Sequence, residues 1–274
     1  MRAVRAFLVF AVAGVMAALG TGTGAAALPD EPQTMAALGD SITRGHNACG
    51  WFFDCVDRSW STGSSDRVDS HRRRLAATTP DALTDVFNNA VTGARAADLE
   101  RQAELAVEQG ADYVTILIGT GDVCAATEAE MTPVDRFGAD ITAGLDVLSQ
   151  ADTHVFVASV PDVIRLWQVG GGSAEVRDTW ESTAVCPTAL DRADSTDPAD
   201  RERRARVAQR VDAYNDRLAA ACGGYDGVCV YDAGAVHDHP FSLDHFSAWD
   251  YFHFNRSGQA VLADITWRSM LPQP

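Results

Sequence analysis

Five short runs of apolar and β-branched residues recur along the chain, each closed by turn-forming residues and separated by stretches of helical period. They are Thr34–Leu38, Asp85–Asn89, Tyr113–Ile118, His154–Val160 and Val228–Asp232, and their length and composition predict buried strands. Between them Leu99, Ala103 and Val107 fall on one helical face, as do Phe137, Ile141, Leu145 and Leu148. Val207, Val211, Tyr214 and Leu218 form another such face, and Val261, Leu262 and Ile265 mark a last helix. Strands that alternate with helices in this way predict an α/β fold with a parallel sheet covered on both faces. Ligands of such sheets gather at the carboxyl ends of the strands. Ser41, Gly93 and Gly119–Asp122 each follow a predicted strand, so they converge on one edge.

The first residues do not belong to this pattern. Arg2 and Arg5 precede an apolar run from Ala6 to Leu19, and Ala25-Ala26-Ala27 offers a small-residue cleavage site. This is the three-part layout of a secretory signal peptide, with an apolar core too short to span a bilayer. Residues 1–27 are therefore expected to be removed, leaving residues 28–274 as a single domain secreted outside the cell. Removing two arginines takes the formal charge from −16 to −18. So acidic a surface argues against nucleic acid or anionic membrane as a standing partner, and no stable membrane insertion is expected. Six cysteines follow the leader: Cys49, Cys55, Cys124, Cys186, Cys222 and Cys229. An even number in an exported chain predicts disulfides, and short loops close most cheaply. Cys49–Cys55 and Cys222–Cys229 are the preferred pairs, which leaves Cys124–Cys186. Residues 49–72, rich in Ser, Gly, Asp and Trp, and residues 168–200, with Gly170-Gly171-Gly172, Pro187 and Asp194-Ser195-Thr196-Asp197-Pro198, are expected to be long irregular loops, the first pinned by a disulfide and the second an excursion over the active edge.

Chemistry concentrates at the two ends of the chain. Gly39-Asp40-Ser41 follows the first strand, and Asp250-Tyr251-Phe252-His253 stands near the other terminus. A serine hydroxyl is a weak nucleophile until a base takes its proton, and a carboxylate beside an imidazole fixes its tautomer. Asp250 and His253, three residues apart, share a face on a helical turn. Two further blocks, Asn89-Ala90-Val91-Thr92-Gly93-Ala94 and Gly119-Thr120-Gly121-Asp122, lie between these ends.

The order and spacing of these four blocks closely resemble those of SGNH hydrolases, the GDSL esterases and lipases, and in particular their secreted actinobacterial branch. Ala48-Cys49-Gly50-Trp51, Ser59-Trp60-Ser61-Thr62-Gly63, Val157-Ala158-Ser159-Val160-Pro161-Asp162 and Trp249-Asp250-Tyr251-Phe252-His253 extend the likeness over the mature chain. The resemblance implies a three-layer α/β/α sandwich around a five-stranded, mainly parallel sheet. It implies hydrolysis of lipid or short-chain acyl esters, with Ser41 as nucleophile, His253 as general base and acid, and Asp250 orienting it. The N–H groups of Ser41 and Gly93 would bind the oxyanion, and the cysteines would pair in sequence order. No cofactor and no metal are implied, and a monomer is expected. Acetylated carbohydrate is the alternative ester. A binding module that kept the fold but lost catalysis is the alternative of a different class.

One departure bears on the chemistry. Gly121 stands where the family carries an asparagine whose amide donates a third hydrogen bond to the oxyanion, a loss worth about 2.7–4 kcal/mol. On this reading Gly121 either weakens the site or serves a turn of positive φ, and Gly121→Asn should raise kcat at least tenfold. The Thr120 hydroxyl or the Asn88 or Asn89 amide could stand in. Phe254 replaces the proline that usually follows the histidine. His237, Asp238, His239, Asp244 and His245 resemble a metal site in type, but His237 and His239 straddle no common helix face, and a polar surface loop is the expected role. Arg72-Arg73-Arg74 reads as a solvated helix start. Trp51, Trp60 and Trp167 read as packing residues, while Trp249, next to Asp250, is a candidate wall of the acyl pocket.

Overall fold

The computed structural model describes residues 32–78 and 83–271; residues 1–27, expected to be a signal peptide, lie outside them. In chain order the elements are β1 (Thr34–Gly39), α1 (His71–Thr78), β2 (Asp85–Asn88), α2 (Leu99–Glu108), β3 (Tyr113–Leu117), α3 (Thr120–Val123), α4 (Val134–Ser149) and β4 (His154–Val157). They continue with α5 (Val163–Gly170), α6 (Ala174–Thr183), α7 (Pro187–Leu190), α8 (Pro198–Gly223), β5 (Cys229–Tyr231), α9 (Ala235–Asp238) and α10 (Arg256–Met270). The sheet runs β2-β1-β3-β4-β5 and every neighbouring pair is parallel. The chain moves outward from β1 to β2 and then returns to β3 on the other side of β1. That reversal opens a crevice beyond the carboxyl ends of β1 and β3.

All five residues of β3 are buried, as a central parallel strand requires. Its alternate side chains serve two layers. Tyr113 and Thr115, in register with His154 and Phe156 of β4, face the layer of α1 and α10. There the Tyr113 hydroxyl meets the His71 ring, and Thr115 meets Ser61. On the other side α2, α4 and α8 pack together through the faces read from the sequence, with Leu99, Ala103, Phe137, Ile141, Val207 and Val211 all buried. Gly144 lets α2 and α4 approach closely, because a Cβ there would stand 2.6 Å from the Leu99 side chain. The result is a three-layer α/β/α sandwich, as expected.

Residues 168–200 depart from expectation. They hold the end of α5, then α6, α7 and the start of α8 rather than an irregular loop. The polar residues that suggested a loop are helix caps. Ser173 accepts from the Val176 N–H, Pro187 opens α7, and Asp197 accepts from the Ala199 N–H just before Pro198. Residues 49–72 do remain largely irregular, with one short helical turn at Val56–Arg58. The cysteines pair as Cys49–Cys55, Cys124–Cys186 and Cys222–Cys229.

Candidate active site

At the end of β1 the chain turns too sharply for any side chain. Gly39 has φ +140°, and a Cβ there would lie 2.1 Å from the Leu117 carbonyl oxygen. The Gln102 side chain pins this corner from α2, accepting from the Gly39 N–H at 2.7 Å and donating to its carbonyl at 3.0 Å. Asp40 then accepts from the Ile42 N–H at 2.9 Å, closing a tight turn that presents Ser41 at the strand edge.

Asp250 and His253 occupy a bend rather than the expected helical turn, with Tyr251 at φ +46°. One carboxylate oxygen, Oδ1, accepts from the N–H groups of Phe252 and His253 at 3.0 and 3.1 Å, which curls the segment on itself. Trp180 of α6 holds the bend from outside by donating to the Tyr251 carbonyl. Oδ2 faces His253 Nδ1 at 2.6 Å, and His253 Nε2 lies 2.9 Å from Ser41 Oγ. Serine, imidazole and carboxylate, drawn from opposite ends of the chain, therefore form one hydrogen-bonded line. Burial alone would raise the Asp250 carboxyl. Its bonds and charge pairing with His253, and the two N–H groups, outweigh burial and hold it below the usual carboxylate range.

Ser41 opens into a cavity of about 210 Å³ lined also by Thr92, Gly93, Thr120, Gly121, Val185 and Phe252. The Cys124–Cys186 bridge forms part of the wall. The N–H groups of Ser41 and Gly93 donate to no protein acceptor among the described residues. Asp122 stabilises this rim by accepting from the Ala96 N–H at 2.8 Å.

Gly121 lines the cavity, but the reading of it as a turn of positive φ does not hold. Its φ is not in the left-handed region; the positive φ belongs to Gly119, at +126°. Nor is there room for a restored asparagine, since a Cβ at Gly121 would lie 2.5 Å from the Ala94 carbonyl oxygen. The segment after Gly93 has closed over this position, so glycine is required by close approach. The expected gain from Gly121→Asn is thus reversed. That variant should lose roughly tenfold or more in kcat/KM on a simple ester and about 1–3 kcal/mol of stability, as Ala94 is pushed aside. Ester kinetics with thermal melting check this, and a faster enzyme would refute it. The proposed stand-ins also sort themselves. The Asn88 amide donates to the Thr43 carbonyl and the Thr62 hydroxyl, and Asn89 pairs with Gln109. The Thr120 hydroxyl, buried beside the cavity, has no hydrogen-bond partner among the described residues.

Other candidates lie elsewhere. Trp249 does not line this cavity; it stands 40% exposed, with its ring 4.9 Å from that of Trp51. Trp51 is itself exposed, whereas Trp60 is fully buried and Trp167 packs under the Arg204 guanidinium. Phe254 is a core residue, stacked on Phe246. Arg74 pairs with Asp69 and Asp264. His237 faces Asp212, while His239 and His245 cluster around Phe241. Among the described residues no three histidines, cysteines or carboxylates are gathered as a metal site would need. Sequence reasoning missed Asn47, which is fully buried against Asp250. Its only signal was its place just before the Ala48–Trp51 block.

The same architecture is known in proteins of low sequence identity. An alpha/beta hydrolase from the metagenome of Lake Arreo, Spain, aligns with a TM-score of 0.55 at 18% identity, over 87% of this chain and 94% of its own. An acetylxylan esterase from Geobacillus stearothermophilus aligns at 0.55 and 16%, over 89% and 96%. A lipase/acylhydrolase from Enterococcus faecalis aligns at 0.51 and 18%, over 86% and 94%. At these identities the likeness speaks to fold alone. No curated protein sequence matches the chain. A profile of the GDSL-like Lipase/Acylhydrolase family matches residues 37–261, a span that runs from β1 through the Ser41 corner and the Asp250–His253 bend into α10. The chain belongs to the GDSL-like lipase/acylhydrolase family.

Proposed function

We propose that the protein is an exported serine hydrolase of carboxylic esters with short acyl groups. The observation that carries this is the unbroken line from Ser41 Oγ through His253 to Asp250, opening on a cavity with two free backbone donors. In this cycle Ser41 Oγ attacks the ester carbonyl carbon while His253 Nε2 takes its proton. The N–H groups of Ser41 and Gly93 stabilise the oxyanion, with the Thr120 hydroxyl beside them. Collapse breaks the ester C–O bond, and His253 returns the proton to the departing alcohol. A water molecule, deprotonated by His253, then attacks the acyl-serine; the acyl C–Oγ bond breaks, His253 returns the proton to Ser41 Oγ, and the carboxylic acid leaves.

Cavity size supports the acyl preference. About 210 Å³ lies below the roughly 300–1,000 Å³ of ordinary ligand pockets. Val185 and Phe252 supply its apolar walls. An acetyl group on a carbohydrate also falls within this limit. Three disulfides support export, and no described helix is long and apolar enough to cross a membrane.

The test is turnover of acetyl, butyryl and dodecanoyl chromogenic esters, and of acetylated xylan, by the parent and by Ser41→Ala. The short esters should lead in kcat/KM by at least about tenfold, since a long chain must leave part of its apolar surface in water. Equal rates for parent and variant would instead favour a binding module.

A further inference from the structure

The carboxylate of Asp250 has a second partner. Asn47 Nδ2 donates to Asp250 Oδ2 at 2.6 Å, the same oxygen that accepts from His253 Nδ1. We propose that Asn47 is a positioning residue for hydrolysis, fixing the rotation of the Asp250 carboxylate so that His253 meets Ser41. This assignment rests on the hydrolase reading above.

Three observations carry it. Asn47 is fully buried, and its Oδ1 has no hydrogen-bond partner among the described residues. The side chain thus makes one bond, to the carboxylate, and the opposite amide orientation would set an oxygen against a carboxylate. Its backbone takes φ +62°, a left-handed conformation that asparagine tolerates better than most residues. That backbone is tied into the disulfide loop, since the Asn47 N–H donates to the Phe53 carbonyl and its own carbonyl accepts from Gly50 within the Cys49–Cys55 loop. The loop therefore delivers a rigid donor to the far side of the carboxylate. With Oδ1 held by two backbone N–H groups, Oδ2 has one direction left, toward Nδ1. The neighbouring His46, whose ring centroid lies 4.7 Å from that of His253, walls the imidazole edge-on and is itself held by Asp54.

Two variants separate the donor from the backbone. Asn47→Gly keeps the left-handed conformation and removes the amide. Asn47→Asp keeps shape and conformation and replaces the donor by an acceptor. Losing a hydrogen bond to a charged group corresponds to roughly a 10- to 100-fold effect. We expect kcat on a short-chain ester to fall by about that factor in Asn47→Gly and further in Asn47→Asp, with KM within about twofold. The low-field NMR resonance of the His253 Nδ1 proton should move or disappear in both. Should the glycine variant not fold, the isosteric aspartate variant decides alone. Native folding with kcat within about twofold of the parent and an unmoved resonance would overturn the proposal. If the parent shows no Ser41-dependent turnover, the hydrolase reading fails separately. The resonance then decides Asn47 alone, movement supporting it and constancy overturning it.

Discussion

Ser41→Ala and His253→Ala are each expected to lower kcat on a short-chain ester by roughly 10⁴- to 10⁶-fold, and the double variant by no more than the worse single. The reason is that the two groups perform one act. With Ser41 Oγ 2.9 Å from His253 Nε2, the imidazole can receive the proton only as the oxygen attacks. Either group without the other has nothing to do. Asp250→Ala should cost about one to two powers of ten less, because an imidazole without its carboxylate still accepts a proton once it visits the right orientation. On the proposed mechanism the residual rate in every variant would come from the Ser41 and Gly93 N–H groups, which these side-chain changes leave in place. Pre-steady-state and steady-state kinetics on the same chromogenic ester measure the parent and all four variants. If the double variant lost the product of the two single losses, the residues would act independently and the proposed mechanism would fall.

The features legible in the sequence were those set by short-range pattern. The central strands announced themselves because parallel strands covered on both faces are mostly apolar, as β1 is from Met35 to Leu38 and β3, apart from Thr115, from Tyr113 to Leu117. The half-exposed β2 and β5 showed instead through their β-branched and aromatic residues and turn-like ends. The corner at Gly39 and the two short-loop disulfides followed from equally local rules, whereas Cys124–Cys186 came by elimination and from the family resemblance. What escaped was set by packing between distant segments. Gly121 looked open to a restored amide, because nothing near it in sequence says that Ala94 sits against it. Asn47 drew no reading at all, because its partner lies 203 residues away. Ser173, Pro187 and Asp197-Pro198 suggested irregular chain because the residues that cap helices are also those that make turns. Val185 and Cys186, between two of those helices, nevertheless reach the cavity, so this segment lies over the strand edge as expected.

Lowering the pH from 7 to 4 is expected to cost the parent about 3 kcal/mol of stability relative to His71→Gln. His71 opens α1 and is fully buried between the sheet and α10. Its Nε2 lies 2.8 Å from Thr266 Oγ1, which itself donates to the Leu262 carbonyl, so Nε2 carries the proton. Nδ1 is then the acceptor facing the Tyr113 hydroxyl at 2.9 Å. Burial, with a smaller contribution from the Arg74 charge, pushes this imidazole down from 6.5 to about 3. The unfolded chain therefore binds a proton below pH 6.5 that the native state refuses. Stability from neutral His71 is complete above that value and is lost as the pH falls toward 3. Two buried carboxyls act in the opposite sense. Burial raises Asp40 to about 7 and Asp122 to about 6, so the native state keeps protons that the unfolded chain releases. Their contribution declines as the pH rises from about 4 through those values. Because these slopes oppose one another, the parent's own pH curve cannot isolate His71, but the difference between parent and His71→Gln does. Denaturant unfolding of both proteins across this range measures it. Parallel curves would mean that the ring takes up a proton in place, and that the packing around α1 and α10 admits water which the native core should exclude.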